Sequence, residues 1–327
     1  MKTFKKVLLI VVCVIFLVVV GFFVYMYTAF PKVNAAPDIK VELTPERIQR
    51  GEYLFNNVMS CVDCHSARDF NKFTFPAVPG TIGQGGFKFS PEEMPGFPGT
   101  LYSANITPAG IGDWTDGEVF RAITEGVSKD GRALFPLMPY MNYRELDKED
   151  IYAVIAYVRT LKPIENVVPK PSLNFPLNIL VRTMPTNSDL KPRPDKSNTV
   201  AYGKYLVTSA SCIDCHTPQE KGEYIKDKMY AGGMEFSLPT GVVRSSNITP
   251  DNETGIGTWS KEFFLGKFKM YDHSIYTPEV VKPGEFNTVM PWPLLGSMTL
   301  EDLNAIYDYL RTLPPVKNKV EKFTPRQ

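Results

Sequence analysis

Most of this 327-residue sequence consists of two similar halves, and this internal repeat restricts its possible folds more than any other feature. Short motifs recur in the same order in both halves of the chain, as expected for two structural units of one kind. The matching pairs are residues 51–54 and 203–206, 60–65 and 211–216, 105–108 and 247–250, 110–114 and 255–259, 138–139 and 290–291, and 157–161 and 309–313. The two copies differ in length only in stretches rich in glycine and proline. The sequence therefore predicts two tandem copies of one domain.

The ends of the repeats define the predicted domain organisation. We place the first domain at residues 38–165, the second at residues 199–327, and a proline-rich linker at residues 166–198. The crossing segment, residues 162–198, contains seven prolines and no sustained helical period. Because proline restricts the backbone, we expect an ordered or semi-rigid connection between the domains.

Each copy is predicted to be mostly helical. Thr44 and Pro45 are typical of an N-cap and a first helical position, and Gly51 and Gly203 would let the first and last helices of each copy cross closely. Apolar residues recur at helical spacing near the end of each copy: Ile151, Val154, Ile155 and Val158 in the first, and Leu303, Ile306, Tyr307 and Leu310 in the second. The glycine-rich segments between these helices, such as residues 80–86, predict loops that surround a cofactor. We therefore predict an all-α fold.

The N-terminal segment has the composition of a membrane helix. Residues 7–26 carry no charge, and a helix of this length spans about 30 Å, enough to cross a bilayer core. Three lysines precede this run and would hold the N-terminus in the cytoplasm. We predict a single-pass transmembrane anchor at residues 1–30, with both domains on the extracytoplasmic, periplasmic side of the cytoplasmic membrane. The alternative is a cleaved signal peptide, with residues 33–35 (Val-Asn-Ala) as its cleavage site.

Each copy contains a Cys-x-x-Cys-His motif, the haem attachment signature. Two thiols at this spacing can form thioethers to the two vinyl groups of one haem, and the adjacent histidine can bind the iron as an axial ligand. The motif residues are Cys61, Cys64 and His65 in the first copy and Cys212, Cys215 and His216 in the second. A redox dithiol, a shared zinc site and a structural disulfide are the alternatives, but no thioredoxin-like pattern surrounds the pairs and each pair has its own histidine. We therefore predict two covalently bound haem c groups.

The second axial ligand of each iron is predicted to be methionine. His273 is the one histidine outside the two motifs and cannot complete two irons. Met138 and Met290 occupy equivalent positions in the repeat, each followed by a proline and an aromatic residue and then by the final helix. The thioether of methionine is a soft ligand that suits haem iron. The rival candidates Met141 and Met298 have no methionine at the equivalent position of the other copy.

These motifs together resemble those of the dihaem and multihaem cytochrome c subunits of bacterial membrane-bound dehydrogenases, such as those for alcohols, gluconate and aldehydes. The resemblance covers nearly all of residues 45–315. It rests on both Cys-x-x-Cys-His motifs and on residues 51–54, 105–108, 110–114, 131–134, 138–140 and 156–161. It implies helical cytochrome c domains with histidine and methionine ligands, and electron transfer from a periplasmic dehydrogenase towards a quinone or a terminal oxidase.

The function that follows is electron transfer rather than catalysis. Two irons with both axial positions filled have no open site for a substrate. The expected partners are the catalytic subunit of a dehydrogenase as electron donor and a quinone or terminal oxidase as acceptor. Nucleic acid is not expected, because a formal net charge of +1 provides no strongly basic face. The alternative is a dihaem enzyme such as a peroxidase or a sulfur-oxidising cytochrome, for which only His273 would be spare as an extra iron ligand.

Overall fold

The computed structural model describes residues 2–92, 94, 96–220 and 222–326. Its helices, in chain order, are α1 Lys2–Ala29, α2 Pro45–Tyr53, α3 Cys61–Cys64, α4 Pro108–Ile111, α5 Asp116–Glu125, α6 Tyr140–Tyr143, α7 Lys148–Thr160, α8 Leu177–Leu180, α9 Thr199–Ser209, α10 Cys212–His216, α11 Lys261–Lys269, α12 Trp292–Gly296 and α13 Leu300–Leu310. A π-helical turn, Leu54–Val58, continues α2, and 3₁₀ turns occupy Val181–Thr183 and Lys226–Lys228. The strands are β1 Lys88–Phe89, β2 Gly99–Tyr102, β3 Ser172–Leu173, β4 Gln219–Glu220, β5 Glu223–Tyr224, β6 Glu235–Leu238, β7 Gly241–Arg244 and β8 Phe323–Pro325.

Helix α1 precedes the two repeated domains. Among the described residues, it is the one helix that is long and apolar enough to cross a membrane. Its side chains are exposed, except for the buried Met26 and the half-buried Ala29 near its C-terminal end. A signal sequence can have the same length and composition. This property alone is therefore compatible with both the predicted anchor and a cleaved leader.

Each domain is built on a pair of crossing helices, α2 with α7 in the first domain and α9 with α13 in the second. A Cβ atom added at Gly51 would lie 1.9 Å from the backbone oxygen of Ala153, and one added at Gly203 would lie 1.9 Å from the backbone oxygen of Ala305. Both distances are far shorter than a van der Waals contact, so these crossings require glycine. The predicted packing role of both glycines is confirmed.

The helices begin where local sequence signals predict. The hydroxyl group of Thr44 accepts a hydrogen bond from the backbone N–H of Arg47 at 3.3 Å, which caps α2. Thr299 caps α13 in the same way, by accepting a hydrogen bond from the backbone N–H of Asp302 at 3.1 Å. Each cap satisfies a backbone donor that has no partner within its own helix.

Three small antiparallel sheets accompany the helices, so the prediction of an all-α fold is not confirmed. Their strand orders are β1-β2-β3, β4-β5 and β6-β7-β8, and about 40% of the chain is helical. Strands as short as two to four residues cannot show the alternation of apolar and polar residues by which a strand is recognised in a sequence. Two tandem domains preceded by an apolar helix describe the architecture.

In both copies, the outer strand of the three-stranded sheet follows the last helix of that copy. Strand β3 pairs with β2, and strand β8 pairs with β7. Just before these strands, Asn166 donates a hydrogen bond to the backbone oxygen of Gln84, and Asn318 donates one to that of Ala231, both at 2.9 Å. Each copy thus folds an extended tail back over the loop that follows its Cys-x-x-Cys-His helix. The first part of the proline-rich linker is packed on the first domain in this way.

The two domains are in direct contact. Buried apolar side chains from both of them form one continuous cluster. Hydrogen bonds cross the boundary in matched pairs, from Tyr53 to Asp302 and from Tyr205 to Asp150. The linker is therefore not the only connection between the domains, and their packing brings the two Cys-x-x-Cys-His motifs into a defined relation.

Candidate functional site

The backbone reverses just before each Cys-x-x-Cys-His motif. Ser60 (φ 50°) and Ser211 (φ 53°) both adopt the left-handed backbone conformation, which is uncommon for residues other than glycine. Helices α3 and α10 begin at the next residue, so the two cysteines of each motif, three positions apart, lie on one face of a helical turn. Because both copies share this unusual geometry, we interpret it as the feature that aims the cysteines.

A backbone carbonyl holds the histidine ring of each motif in the same orientation. Nδ1 of His65 lies 2.8 Å from the oxygen of Ala104, and Nδ1 of His216 lies 2.7 Å from the oxygen of Ser246. Because a carbonyl oxygen only accepts hydrogen bonds, Nδ1 carries the proton in both rings and Nε2 keeps its lone pair. Burial lowers the pKa of both imidazoles, against the opposing effect of these hydrogen bonds. The hydrogen bond to Nδ1 therefore leaves Nε2 of each ring available to a metal ion.

The repeated Asn-Ile-Thr-Pro motif holds these carbonyl groups in place. Oδ1 of Asn105 accepts hydrogen bonds from the backbone N–H and the hydroxyl group of Thr107, at 3.0 and 2.7 Å. Oδ1 of Asn247 accepts the same two bonds from Thr249, at 2.9 and 2.8 Å. Both asparagine amides also donate to the backbone that follows the last helix of their copy. The residue directly before each asparagine, which holds the histidine ring, is thereby fixed.

Two glycines that the sequence reasoning did not single out complete this arrangement. The N–H of Gly85 donates to the backbone oxygen of His65 at 3.0 Å, and that of Gly232 donates to the backbone oxygen of His216 at 2.8 Å. A Cβ atom at either glycine would come within 2.4 Å of the backbone that holds the histidine ring. The signal was present in the sequence, since each glycine begins a Gly-Gly pair that recurs in the other copy.

None of the four motif cysteines forms a disulfide. The second cysteine of each motif is exposed and the first is half-buried. Both cysteines of each motif can therefore attach a haem through thioethers. Among the described residues, no group of three or more His, Cys, Asp or Glu side chains could hold a metal ion, so the zinc alternative finds no support there.

The two predicted methionine ligands occupy equivalent places in the fold. Met138 and Met290 are half-buried and pack against the core. The prolines that follow them have similar backbone angles, φ −78° and ψ 46° for Pro139 and φ −80° and ψ 61° for Pro291. The rival methionines are unlike each other, because one is fully buried and the other is 45% exposed. Iron ligation by Met138 and Met290 stays a prediction.

Both motifs lie against the opposite domain. Asn142 donates a hydrogen bond at 3.0 Å to the carboxylate of Asp214, inside the second motif, and Asn57, shortly before the first motif, donates one at 3.0 Å to the backbone of α12. The two predicted haem sites are therefore neighbours across the domain boundary.

The electrostatic surroundings of the two motifs differ. Asp63, in the first motif, forms an ion pair at 2.8 Å with the buried guanidinium of Arg68. Asp214, at the equivalent position, accepts hydrogen bonds from the neutral side chains of Asn142 and Tyr224. Burial raises the pKa of both carboxyl groups. The two haem sites are thus alike in construction but not in charge.

These residues fit a covalently attached haem, because each copy presents two cysteines on one helical face and, directly after them, a histidine whose Nδ1 bonds to a carbonyl oxygen and whose Nε2 keeps its lone pair. Two such units in tandem define a dihaem protein of the c type. The family model for cytochrome c matches residues 48–162 and 200–314, and the chain belongs to the cytochrome c family. It carries two covalently bound haem c groups, as the two motifs predict.

Similar proteins include cytochrome subunits of dehydrogenases. The alcohol dehydrogenase (quinone) cytochrome c subunit of Gluconacetobacter polyoxogenes is 32% identical over 295 residues, which cover 85% of this chain and 58% of that protein. The gluconate 2-dehydrogenase cytochrome c subunit of Pantoea cypripedii is 31% identical over 282 residues, 81% of this chain and 59% of that protein. A diheme c-type cytochrome of Cereibacter sphaeroides is 28% identical over 302 residues, 87% of this chain and 92% of that protein.

The chain therefore spans less than two thirds of the length of the first two relatives. All three relatives are named as cytochromes, two of them as the cytochrome subunit of a dehydrogenase. This confirms the prediction that the chain is an electron-transfer cytochrome and not a catalytic subunit.

Proposed function

We propose that this dihaem cytochrome takes electrons from an extracytoplasmic dehydrogenase at the membrane and passes them to a respiratory acceptor, a quinone or a terminal oxidase. The observation that carries the proposal is the histidine site that is built twice, with the same carbonyl partner and a free Nε2 in each copy. The proposed haem-binding residues are Cys61, Cys64, His65 and Met138 for the first haem and Cys212, Cys215, His216 and Met290 for the second.

The proposed ligands suit electron transfer because they leave no iron position for a substrate. Bound haem supplies an iron that gains and loses one electron at a time, and a methionine thioether opposite a histidine raises its reduction potential. The remaining histidine, His273, is exposed and its Nδ1 shares a hydrogen bond with the hydroxyl group of Ser297. The alternative of a dihaem enzyme with an additional histidine ligand therefore has no support from the position of this residue.

The proposed location is the cytoplasmic membrane, with the haem domains on its extracytoplasmic side. Helix α1 is long and apolar enough to span the bilayer, and the lysines at its start favour a cytoplasmic N-terminus. An anchor keeps the carrier near its membrane partners and raises the effective concentration of each for the other. The proposed donor is a dehydrogenase, because relatives of this chain are named as cytochrome subunits of alcohol, gluconate and fructose dehydrogenases.

Optical spectra of the purified full chain test the ligands. Pyridine haemochrome quantitation should give two haems per chain, and the oxidised protein should show a weak methionine–iron band near ~695 nm. Carbon monoxide should leave the spectrum of the reduced protein unchanged, because both axial positions are filled. Carbon monoxide binding to one haem would contradict the proposed ligands and favour the dihaem enzyme.

Leucine substitutions assign each ligand. Met138→Leu and Met290→Leu each remove one thioether with little change in volume, and each should remove about half of the methionine–iron band and open one iron to carbon monoxide. Met141→Leu changes an exposed methionine near the first site and is the matched control, with an unchanged spectrum expected. The same loss in the control as in Met138→Leu would contradict the assignment.

The donor is tested in membranes that contain the full chain. Alcohols, gluconate and fructose are added separately, and the absorbance of the reduced haem c bands is followed. Rapid reduction with one substrate class identifies the dehydrogenase that acts as donor. Absence of reduction with every substrate, in membranes where dehydrogenase activity is measured independently, would contradict the proposed donor class but not the ligand assignment.

A further inference from the structure

The proline-rich linker is attached to the end of helix α1 by one arginine. Arg182 donates hydrogen bonds from Nε to the backbone oxygen of Met26 at 3.1 Å and from a terminal nitrogen to that of Tyr27 at 3.0 Å. A further hydrogen bond reaches the backbone oxygen of Phe30. The last carbonyl groups of a helix have no partner within the helix and carry a partial negative charge, so a guanidinium placed there is favourable. Arg182 therefore caps the C-terminal end of α1.

Both segments that this cap joins carry buried apolar side chains. Met26 is only 4% exposed, whereas its neighbours Tyr25 and Tyr27 in α1 are exposed. Ile179 and Val181, on either side of Leu180 in the linker, are also buried. Loss of α1 would take away the backbone oxygens of Met26 and Tyr27 that accept hydrogen bonds from Arg182. The end of α1 is therefore part of the folded protein, which favours a retained helix over a cleaved leader.

The same linker segment exposes apolar side chains in the residues before Arg182. Phe175 is 75% exposed, and Leu180, two residues before Arg182, is also exposed. Lys32, just beyond the last residue that Arg182 contacts, is exposed as well. Aromatic, aliphatic and basic side chains are favourable together where a membrane helix leaves the hydrocarbon core, because apolar groups enter the interface and cations meet lipid phosphates.

We infer that Phe175 and Leu180 of the linker insert into the lipid headgroup layer beside α1, so that the cytochrome sits on the bilayer at two points. The inference rests on the proposed membrane anchor and adds a second contact to it. Arg182 bonds to the carbonyls of Tyr27 and Phe30, so the linker that carries Phe175 and Leu180 is held at the place where the chain leaves the membrane. The second contact restricts tilting of the haem domains, which keeps one face of the protein towards the membrane.

A lipid surface is the occupant that this geometry favours. The linker that carries these exposed side chains is bonded through Arg182 to the end of an apolar helix, and the surface of that helix is exposed along almost its whole length. A bilayer that covers the helix necessarily reaches the residues attached to its end. A protein partner at this place would have to displace headgroups around the helix before it could contact Phe175.

Photo-crosslinking of the full chain, loaded with haem and reconstituted in phospholipid nanodiscs, tests the contact. A benzophenone amino acid replaces Phe175 or Leu180, and Phe263 as the control, because Phe263 is an exposed phenylalanine of α11 in the second domain. Lipid adducts, identified by mass spectrometry, are expected at positions 175 and 180 and not at position 263. Equal lipid labelling at all three positions, or labelling at none, would overturn the inference.

The proposed anchor and the proposed second lipid contact are tested separately. If the intact mass of the mature protein shows that the residues before position 36 are missing, the proposed anchor fails. If α1 is present but positions 175 and 180 give no lipid adducts, only the second contact fails. If the chain is instead crosslinked to another protein at position 175 in native membranes, this surface is a protein-docking site and the lipid inference is wrong.

The role of Arg182 is tested by limited proteolysis in nanodiscs. Arg182→Gln removes hydrogen bonds made by a charged group, and cleavage between residues 30 and 36 should become about tenfold faster. Arg47→Gln, which removes a surface ion pair with Glu149, is the control and should leave the cleavage rate unchanged. Haem content and the optical spectrum should be those of the wild type in both variants. An unchanged cleavage rate in Arg182→Gln would contradict the proposed cap.

Discussion

Tyr53 donates a hydrogen bond from its hydroxyl group to the carboxylate of Asp302 at 2.6 Å, although the two residues belong to different domains. The equivalent residues form the reciprocal bond, from Tyr205 of the second domain to Asp150 of the first, at 2.7 Å. Both carboxylates are almost completely buried, and a buried charge is tolerated only when it is paired or hydrogen-bonded. Each domain thus supplies a partner that the other requires, and the relation between the two haem sites is fixed by these contacts.

Removal of the Tyr53 hydroxyl group should loosen the domain boundary. Tyr53→Phe deletes the hydrogen bond to the buried carboxylate of Asp302 and the one that the hydroxyl group accepts from the N–H of Thr299. We expect the free energy of unfolding to fall by about 1.5–3 kcal/mol. Urea denaturation, followed by circular dichroism and haem absorbance, measures the change. Tyr152→Phe, a half-buried tyrosine of α7 outside this network, is the control. Equal stability of Tyr53→Phe and wild type would show that the bond contributes nothing.

The ion pair of Asp150 should make stability depend on pH in the acid range. Burial alone would raise the pKa of the Asp150 carboxyl group, but the hydrogen bonds and charge of Arg50 lower it below its ordinary value. A depressed pKa means that the stabilisation is complete above the unfolded-state pKa of about 3.9 and is lost as pH falls through the folded-state value. Asp150→Asn should therefore differ most from wild type near pH 7 and least at the acid end.

Urea midpoints measured from pH 7 down to pH 3 check this dependence. Asp227→Asn changes an exposed carboxylate of the second domain, and its urea midpoints should be almost the same as those of wild type at every pH. A constant difference between Asp150→Asn and wild type across the whole range would contradict the assignment of the pH dependence to Asp150.

A single added methyl group should disrupt the helix crossing in the first domain. Gly51→Ala would place Cβ 1.9 Å from the backbone oxygen of Ala153, and relief of this overlap should cost about 3 kcal/mol or more of unfolding free energy. Gly266→Ala, in the exposed face of α11 with no atom within 4 Å of the added Cβ, should instead stabilise by roughly 0.5–1 kcal/mol. Similar effects of both substitutions on the urea midpoint would argue against the crossing.

The support of the His65 ring should be sensitive to Gly85. Gly85→Ala would bring Cβ within 2.4 Å of the backbone of Ala104, which accepts the histidine hydrogen bond. We expect an altered electron paramagnetic resonance signal and reduction potential for the first haem and no change for the second. Gly80 has a positive φ like Gly85, but no atom lies within 4 Å of a Cβ added there. Gly80→Ala therefore controls for backbone strain. Equal changes in both variants would mean that strain, and not the displaced carbonyl, is responsible.

Much of the candidate site could be predicted from sequence because its chemistry is local. The cysteines and histidine of each motif are near neighbours in the chain, so the sequence spacing already sets their relative positions on one helical turn. The methionines are distant from the histidines, and Met138 and Met290 were selected through the repeat. The carbonyls of Ala104 and Ser246 were missed, because a backbone acceptor leaves no residue-type signal and a Gly-Gly pair is only an indirect one.

By itself, the sequence determined the two repeated domains, the covalent haem sites, the apolar N-terminal helix and the crossing glycines, since each depends on residue identity over a short stretch or on direct repetition. The tertiary structure decided the small sheets, the attachment of the linker to α1, and the exchange of hydrogen bonds between the domains. These features join positions far apart in the chain, such as Tyr53 and Asp302 or Arg182 and Met26. No periodic pattern records such pairings, because they depend on how folded elements pack and on which buried charges need partners.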